Sequence, residues 1–472
     1  MSGPLSLEPG GAEQDTLAIR LADRRRPRRR PSWALGDDTT LTIRLPRRGP
    51  DEEAVSELAA ELADRVGPAV HPYEVAALLE AEGLSATLIK ERYGHPNLFS
   101  LASALYAQVP RTFPEPARGA DPWRPDTVRC LLRGVLFALP GLAYLLTAPL
   151  WNPGAHAPAL VVAGLVSWAW GQALGHRAHL RLATGRHEAG RTLLTGAPAG
   201  ALVATAIAAL PAGGGPVTLV AAAQSLYLGA AGVLLVLGRE RQLLAALSPL
   251  VAGAAVLPWW EPGPWLRAGL PLLALLATLA VTGRSLRDTL AAPAVPDARR
   301  PRLLWSLPYG LFGLAAGVLV LLEGRQEPYA VIVLTVSMGP AEWLLYRYRG
   351  LSVAALRAVA TPAGFLLRSA GILGLCLLAY LLPLLPAALL TDAAPAPLLL
   401  LAAVLWIALL LQAFGAAWPP AAICLAAAGG AGTVTLLRLP PGDLALPLCC
   451  AAAALCLSAC ALRLLGRPAP HA

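Results

Sequence analysis

The chain has 472 residues, of which 56% are hydrophobic and only 14% charged, with a formal net charge of +9 and a mean hydropathy of +0.56. A soluble protein carries about 25% charged residues, and apolar runs long enough for a hydrocarbon core of roughly 30 Å recur here from about position 130 onward. A soluble class is excluded, and the chain reads as an all-α, polytopic membrane protein.

The positive balance is arginine, with Lys90 the only lysine. Basic residues at helix ends orient a membrane protein, so no nucleic acid is expected as a partner. Residues 1–50 are rich in Pro and Gly and contain DRRRPRRRP (Asp23–Pro31). Such a segment cannot bury enough apolar area to fold alone and reads as a disordered tail. Its arginines either meet an anionic inner leaflet or stay solvated. No signal peptide is expected, because the first apolar span begins more than a hundred residues in.

Residues 51–120 read as a small helical cytoplasmic domain. Asp51–Val66 is amphipathic with acids in its first turn, His71–Gly83 stops at a glycine, and Ser85 is placed to cap the helix after it. Leu98, Leu101, Leu105 and Val109 share a face of the next. Three or four helices of this size are marginal alone and lean on the membrane part or on a cytoplasmic protein partner bound through residues 51–110.

About twelve transmembrane helices follow, near 131–150, 156–176, 192–211, 216–237, 243–260, 266–283, 303–322, 327–346, 362–384, 396–416, 419–437 and 444–464. The loops test this reading. Arginines follow spans two (Arg177, Arg181, Arg186, Arg191), four (Arg239, Arg241), six (Arg284, Arg287, Arg299, Arg300, Arg302) and eight (Arg347, Arg349, Arg357), while the alternate loops are nearly free of them. That alternation places both termini of the multi-pass protein in the cytoplasm, and the bias to arginine over lysine, read as a GC-rich genome, suggests a bacterial inner membrane. Trp151, Trp259, Trp260, Trp265, Trp305 and Trp418 fall at span ends as interfacial anchors.

The spans divide into two six-helix repeats, 131–283 and 303–465, joined by a cytoplasmic linker at 284–302. Leu139-Pro140 recurs as Leu307-Pro308, and the same offset sets Gly171 and Ala173 over Gly339 and Ala341, and Arg181 over Arg349. Glu342 falls opposite Leu174, so it breaks the symmetry. An ionised group inside a membrane costs several kcal/mol unless paired or wet. Two readings stand: Glu342 pairs with Arg368 on the next span, or it snorkels to Arg347 and water. Gln172 and Gln412 line a cavity or bond between helices; His176, at a span end, reads as solvated. Glu342, Arg368, Gln172, Arg133 and Gln412 are therefore the candidate substrate-binding residues. The seven cysteines lack metal-ligand spacing, so no cofactor or metal is expected.

Ser167–Leu194 (SWAWGQALGHRAHLRLATGRHEAGRTLL) resembles the span-two-to-three region of the multidrug/oligosaccharidyl-lipid/polysaccharide (MOP) exporter superfamily. There a Gly-Gln-Ala-x-Gly turn leads into a basic loop; here it is Gly171-Gln172-Ala173-Leu174-Gly175, with Gly185-Arg186-His187-Glu188-Ala189 further on. No acid stands in the first span, where some cation-coupled members have one. The resemblance implies movement of an amphiphile such as a lipid-linked envelope glycan, with Arg133 and Arg368 offering charge to a pyrophosphate. Glu74–Tyr106 is also similar to an actinobacterial membrane-protein module to which no activity attaches.

The major facilitator plan shares this topology but wants an aspartate between Gly175 and Gly185-Arg186, where none stands. A polyprenyl-dependent glycosyltransferase wants a carboxylate in an outer loop near the first span; Trp151–Pro158 has none. The expectation is a flippase-like exporter rather than an enzyme, in contact with membrane lipids. The alternative is a non-transporting scaffold that recruits a partner through its helical domain.

Overall fold

The computed structural model describes residues 51–110, 125–213, 215–295, 301–359, 361–391 and 393–467. The arginine-rich tail, the end of the expected helical domain and residues 296–300 of the expected linker lie outside them.

Residues 51–110 form one unit of five helices: α1 (Asp51–Glu61), α2 (Ala63–Val66), α3 (Pro72–Ala81), α4 (Ala86–Arg92) and α5 (Leu98–Gln108). The expected first helix is cut at Leu62, which makes five where three or four were expected. Local chemistry sets the starts. His71, Ser85 and Asn97 each take an extended conformation and accept a backbone N–H from the first turn that follows, satisfying donors the helix leaves orphaned. Gly83 adopts φ +76°, a left-handed position that glycine reaches without strain. Leu58, Val66, Val75, Leu79, Ile89, Leu101 and Leu105 close the core.

The second unit holds the apolar helices. In chain order they are α6 (Thr127–Ala138), α7 (Gly141–Thr147), α8 (Pro153–Thr184), α9 (Arg186–Ala212), α10 (Pro216–Val236), α11 (Glu240–Ala246), α12 (Ser248–Val256) and α13 (Pro264–Leu290). After the linker come α14 (Leu307–Gln326), α15 (Pro328–Ala358), α16 (Pro362–Leu381), α17 (Leu384–Leu390), α18 (Pro395–Ala413), α19 (Trp418–Leu437) and α20 (Ala445–Leu465). Among the described residues, eleven helical stretches are long and apolar enough to cross a membrane. The difference from twelve lies at the expected span 243–260. That segment is two helices of 7 and 9 residues, broken at Leu247 before Ser248-Pro249, where proline has no N–H to continue the ladder. The expected basic loop after span two is also mostly helix. α8 runs 32 residues and α9 begins directly after Gly185, so Arg177, Arg181, Arg186 and Arg191 ride on helix ends. Trp265, Trp305 and Trp418 are exposed at span ends, and Trp259 and Trp260 are exposed in the connection before α13.

The helices of 127–290 pack chiefly on one another, as do those of 303–465, and two crossings join the groups: α6 against α15, and α8 against α14. In the numbering of the twelve expected spans these are one against eight and two against seven. Exchanging the halves turns one crossing into the other.

Glycines make both crossings close. A Cβ on Gly134 of α6 would lie 2.8 Å from the Val336 carbonyl oxygen, and one on Gly339 of α15 would lie 2.8 Å from that of Cys130. On the other crossing, a Cβ on Gly313 of α14 would meet the Gln172 side chain at 2.6 Å. Here the backbones touch because there is no side chain between them.

A carboxyl group is stranded on α14. Glu323, near the C-terminal end of α14, is fully buried and neither carboxyl oxygen has a hydrogen-bond partner among the described residues. Such a group costs about 1–3 kcal/mol. Glu323→Leu is therefore expected to raise the apparent melting temperature of the purified protein. A fall would show that the carboxyl has a partner that the leucine removes.

Candidate functional site

Four charged side chains meet at the arginine-rich end of the α6/α15 crossing. Arg129 and Arg133 are four residues apart on α6, hence on one face. Glu240 opens α11 just after Gly238, which turns the chain at φ +69°, and an acid at a helix N-terminus is favourably placed. Glu342 comes from α15, brought within reach by the glycine contact beside it.

Arg129 Nε donates to Glu240 Oε1 at 2.8 Å, and Arg133 donates to the same oxygen from Nε at 2.9 Å and Nη2 at 2.7 Å. Arg133 Nη1 donates to Glu342 Oε1. The group is balanced, two positive against two negative, and Arg133, Glu240 and Glu342 are buried. All three guanidinium nitrogens of Arg133 are thereby committed. The network also joins the halves, since Glu342 alone comes from the second. Beside it, Trp343 Nε1 donates to Thr127 Oγ1 at 3.1 Å.

Glu240 lies outside the spanning helices. Burial alone would push its carboxyl up, but the hydrogen bonds from Arg129 and Arg133 outweigh burial and hold it below the usual glutamate range. A lowered folded pKa contributes stability that is present above the unfolded value, about 4.3, and is lost as pH falls through the folded one. The gap in apparent melting temperature between the wild type and Glu240→Gln is accordingly expected to be widest near neutrality and to shrink below about pH 4. A gap independent of pH would mean that the carboxylate's charge is not what matters.

Above this network lies a cavity of about 430 Å³, within the range of small-molecule sites. Both halves line it: α6, α8, α9, α10 and α11 from the first, and α14, α15, α16 and α18 from the second. Aromatic and aliphatic side chains dominate, among them Phe137, Trp168, Tyr309, Phe312, Tyr380 and Trp406. Three of the five expected site residues, Gln172, Glu342 and Gln412, line it, and Arg133 stands behind Glu342.

The remaining expectations are corrected by geometry. Glu342 is paired with Arg133, neither with Arg368 nor snorkelled to Arg347. Arg368 is exposed on α16, and the Arg347 guanidinium lies 5.5 Å over the Trp343 ring. His176, expected to be solvated, is buried. Its Nδ1 is 3.0 Å from Ser306 Oγ, and its ring stacks on Tyr309 at 3.8 Å.

Sequence reasoning missed Glu240, Arg129, Ser167 and Ser225. The signal for Glu240 was a lone acid between Arg239 and Arg241 in an otherwise basic connection. The serines gave none, because a serine in an apolar helix usually bonds its own backbone.

No family model matches this chain, and no curated protein matches it. Among solved structures the chain is similar to one described as the outward-facing conformation of a multidrug resistance MATE family transporter of the MOP superfamily. That likeness has a TM-score of 0.39 and 14% identity, covering 72% of this chain and 95% of that one. A likeness this distant carries no argument about activity, so function rests on the residues above.

Proposed function

We propose that the chain is a flippase-like carrier of the bacterial inner membrane, with both termini cytoplasmic, which moves an amphiphile through the cavity between its halves. The observation that carries the reading is the cavity itself: lined by both halves and bounded at the arginine-rich end by an ion-paired network that links them. Alternating access needs a site at a seam and a contact across that seam that can be made and broken. Two glycine crossings related by exchange of the halves fit such a rocking motion. Among the described lining residues Glu342 is the only carboxylate, and it is engaged with Arg133, which favours a carrier over an acid-base enzyme.

The sequence resemblance implies a lipid-linked glycan as cargo. Its phosphate would need positive charge, yet Arg133 is committed to two glutamates and Arg368 is exposed. The carrier and the amphiphile stand in this reading; the phosphate-bearing head has no support from the lining.

The test is a reconstitution. Full-length protein in liposomes whose outer leaflet carries a fluorescent single-chain amphiphile is expected to speed its passage to the inner leaflet. A cysteine pair that bridges α6 and α15, in a background with the native cysteines replaced, should stop it. Passage no faster than in empty liposomes, or unaffected by the bridge, would overturn the reading.

A second reading, the scaffold, is favoured by the separate helical unit. Val70, Tyr73 and Phe99 are exposed on it, and Tyr73 contacts His71 and Phe99 through their rings at 4.7 and 5.7 Å. An exposed aromatic patch on a small domain suits a protein partner. Tyr73→Ala with Phe99→Ala should then release a stoichiometric partner while leaving amphiphile passage unchanged.

A further inference from the structure

Two sets of polar atoms stand out in the lining of the cavity. The first is served by the protein. Trp406 Nε1 donates to the Ala341 carbonyl at 3.3 Å, Trp170 Nε1 donates to that of Gly196 at 2.8 Å, and Tyr380 Oη lies 2.9 Å from Ser337 Oγ. His176 is held by Ser306, and Glu342 by Arg133.

The second set has no partner among the described residues: Ser167 Oγ, Ser225 Oγ and Gln412 Nε2. These residues come from α8, α10 and α18, all line the cavity, and their exposures are only 9%, 1% and 5%. Buried polar atoms are nearly always hydrogen-bonded. Three orphans from three helices around one cavity therefore mark what the cavity is built to receive.

Charge narrows the occupant. No lysine or arginine is among the described residues that line the cavity, and the nearby Arg133 has each nitrogen bonded to Glu240 or Glu342. An anionic head would enter an apolar, aromatic space without a counter-ion, which is strongly unfavourable. A cationic head would have to share Glu342 with Arg133, whose Nη1 already holds Oε1, and would set a second positive charge beside that buried guanidinium. A neutral head meets neither obstacle. The orphans supply one amide donor and two hydroxyls that both donate and accept, which suits hydroxyls and carbonyls.

We propose that the cavity is a binding site for an uncharged amphiphile. Its hydroxyl- or carbonyl-bearing head bonds to Gln412, Ser167 and Ser225, and its apolar body lies against Phe137, Trp168 and Trp406. The inference deepens the carrier reading and rests on it for the site's purpose, so binding and passage are measured separately.

The experiment uses full-length protein in nanodiscs and three probes with the same twelve-carbon chain: monolauroylglycerol (uncharged), dodecyl phosphate (anionic) and dodecyltrimethylammonium (cationic). Binding is read by native mass spectrometry and by competition against radiolabelled monolauroylglycerol. The uncharged probe is expected to bind at least tenfold more tightly than either charged one. Gln412→Leu and Ser225→Ala should each weaken it three- to tenfold without changing the melting temperature much. Gln412→Glu should turn the preference towards the ammonium probe, a response that a merely unfolded variant would not give. Dodecyl phosphate binding as tightly as monolauroylglycerol would overturn the inference, as would monolauroylglycerol binding unchanged by Gln412→Leu and Ser225→Ala together. Tight, Gln412-dependent binding without passage in liposomes would sink the carrier and leave the site. Passage of an amphiphile without monolauroylglycerol binding would do the reverse.

Discussion

Arg133→Ala is expected to be the most damaging single substitution in the membrane unit, at about 3–5 kcal/mol. Among the described residues its guanidinium is the only group that bonds Glu342, so its loss leaves a carboxylate buried between α6 and α15 without its ion-pair partner. The other members of the network do not share this exposure to loss. Glu342→Gln leaves Arg133 bonded to Glu240 through two nitrogens and should cost less, about 1–3 kcal/mol. Glu240→Gln leaves Arg133 with Glu342, and Arg129, about half exposed, can turn to water. The ranking Arg133→Ala worst, then the two glutamates, follows from who is stranded rather than from how many bonds are lost.

The double replacement Arg133→Leu with Glu342→Leu removes charge from both sides. Replacing a whole buried pair by apolar groups is often nearly neutral, so the double variant should be more stable than Arg133→Ala alone. This strong non-additivity is the mark of one coupled pair. Apparent melting temperatures in one detergent decide it, measured on the wild type and the three single variants, and on Arg133→Leu, Glu342→Leu and their double, which with the wild type close the cycle. Arg133→Ala no worse than Glu342→Gln, or a double variant that merely sums the singles, would mean that the network does not hold the crossing.

Membrane class, span positions and loop signs follow from local pattern: length of apolar run, arginine at alternate ends, tryptophan at the boundary. So do the caps, as at Ser85 and Asn97, where the residue and the helix it starts are adjacent. Even the break at Leu247 has a local cause in Ser248-Pro249, though a hydropathy average over 243–260 smooths it away.

The partner of Glu342 is different in kind. Arg133 lies 209 residues earlier, and nothing in either neighbourhood names the other. Arg368 is one of the two partners the sequence offers, because consecutive spans at equal depth are neighbours, but a side chain's rotation about its helix is fixed by tertiary packing. That rotation turns Arg368 outward. Gln172, Glu342 and Gln412 reached the cavity because intramembrane polarity is a usable signal by itself. Ser167 and Ser225 did not, since a serine is ordinary in such helices until its missing partner is seen.

Gly134→Ala should destabilise where most glycine-to-alanine changes within a helix stabilise. Alanine in a helix interior gains about 0.5–1 kcal/mol over glycine, and Gly371 on α16, with open space where its Cβ would stand, should show that gain. At Gly134 the added carbon would sit 2.8 Å from the Val336 carbonyl oxygen and 2.9 Å from the Gly339 nitrogen. Neither is a side chain that can swing away; both are backbone of the facing helix. The helices must part, at a cost typical of overpacking, about 1–3 kcal/mol, and Gly134→Val should exceed it.

Parting α6 from α15 also pulls Arg133 away from Glu342, which lies one turn beyond Gly339. The glycine variant should therefore lose part of the charge coupling as well. In a Gly134→Ala background, Glu342→Gln is expected to cost less than it does alone, because the pair is already strained apart. Opposite signs at Gly134 and Gly371, together with that reduced cost, would tie the close crossing and the ion network into one contact between the halves. Equal gains at both glycines would mean that α6 and α15 do not approach at the backbone, and the cavity would lose the wall that separates it from the arginine-rich end.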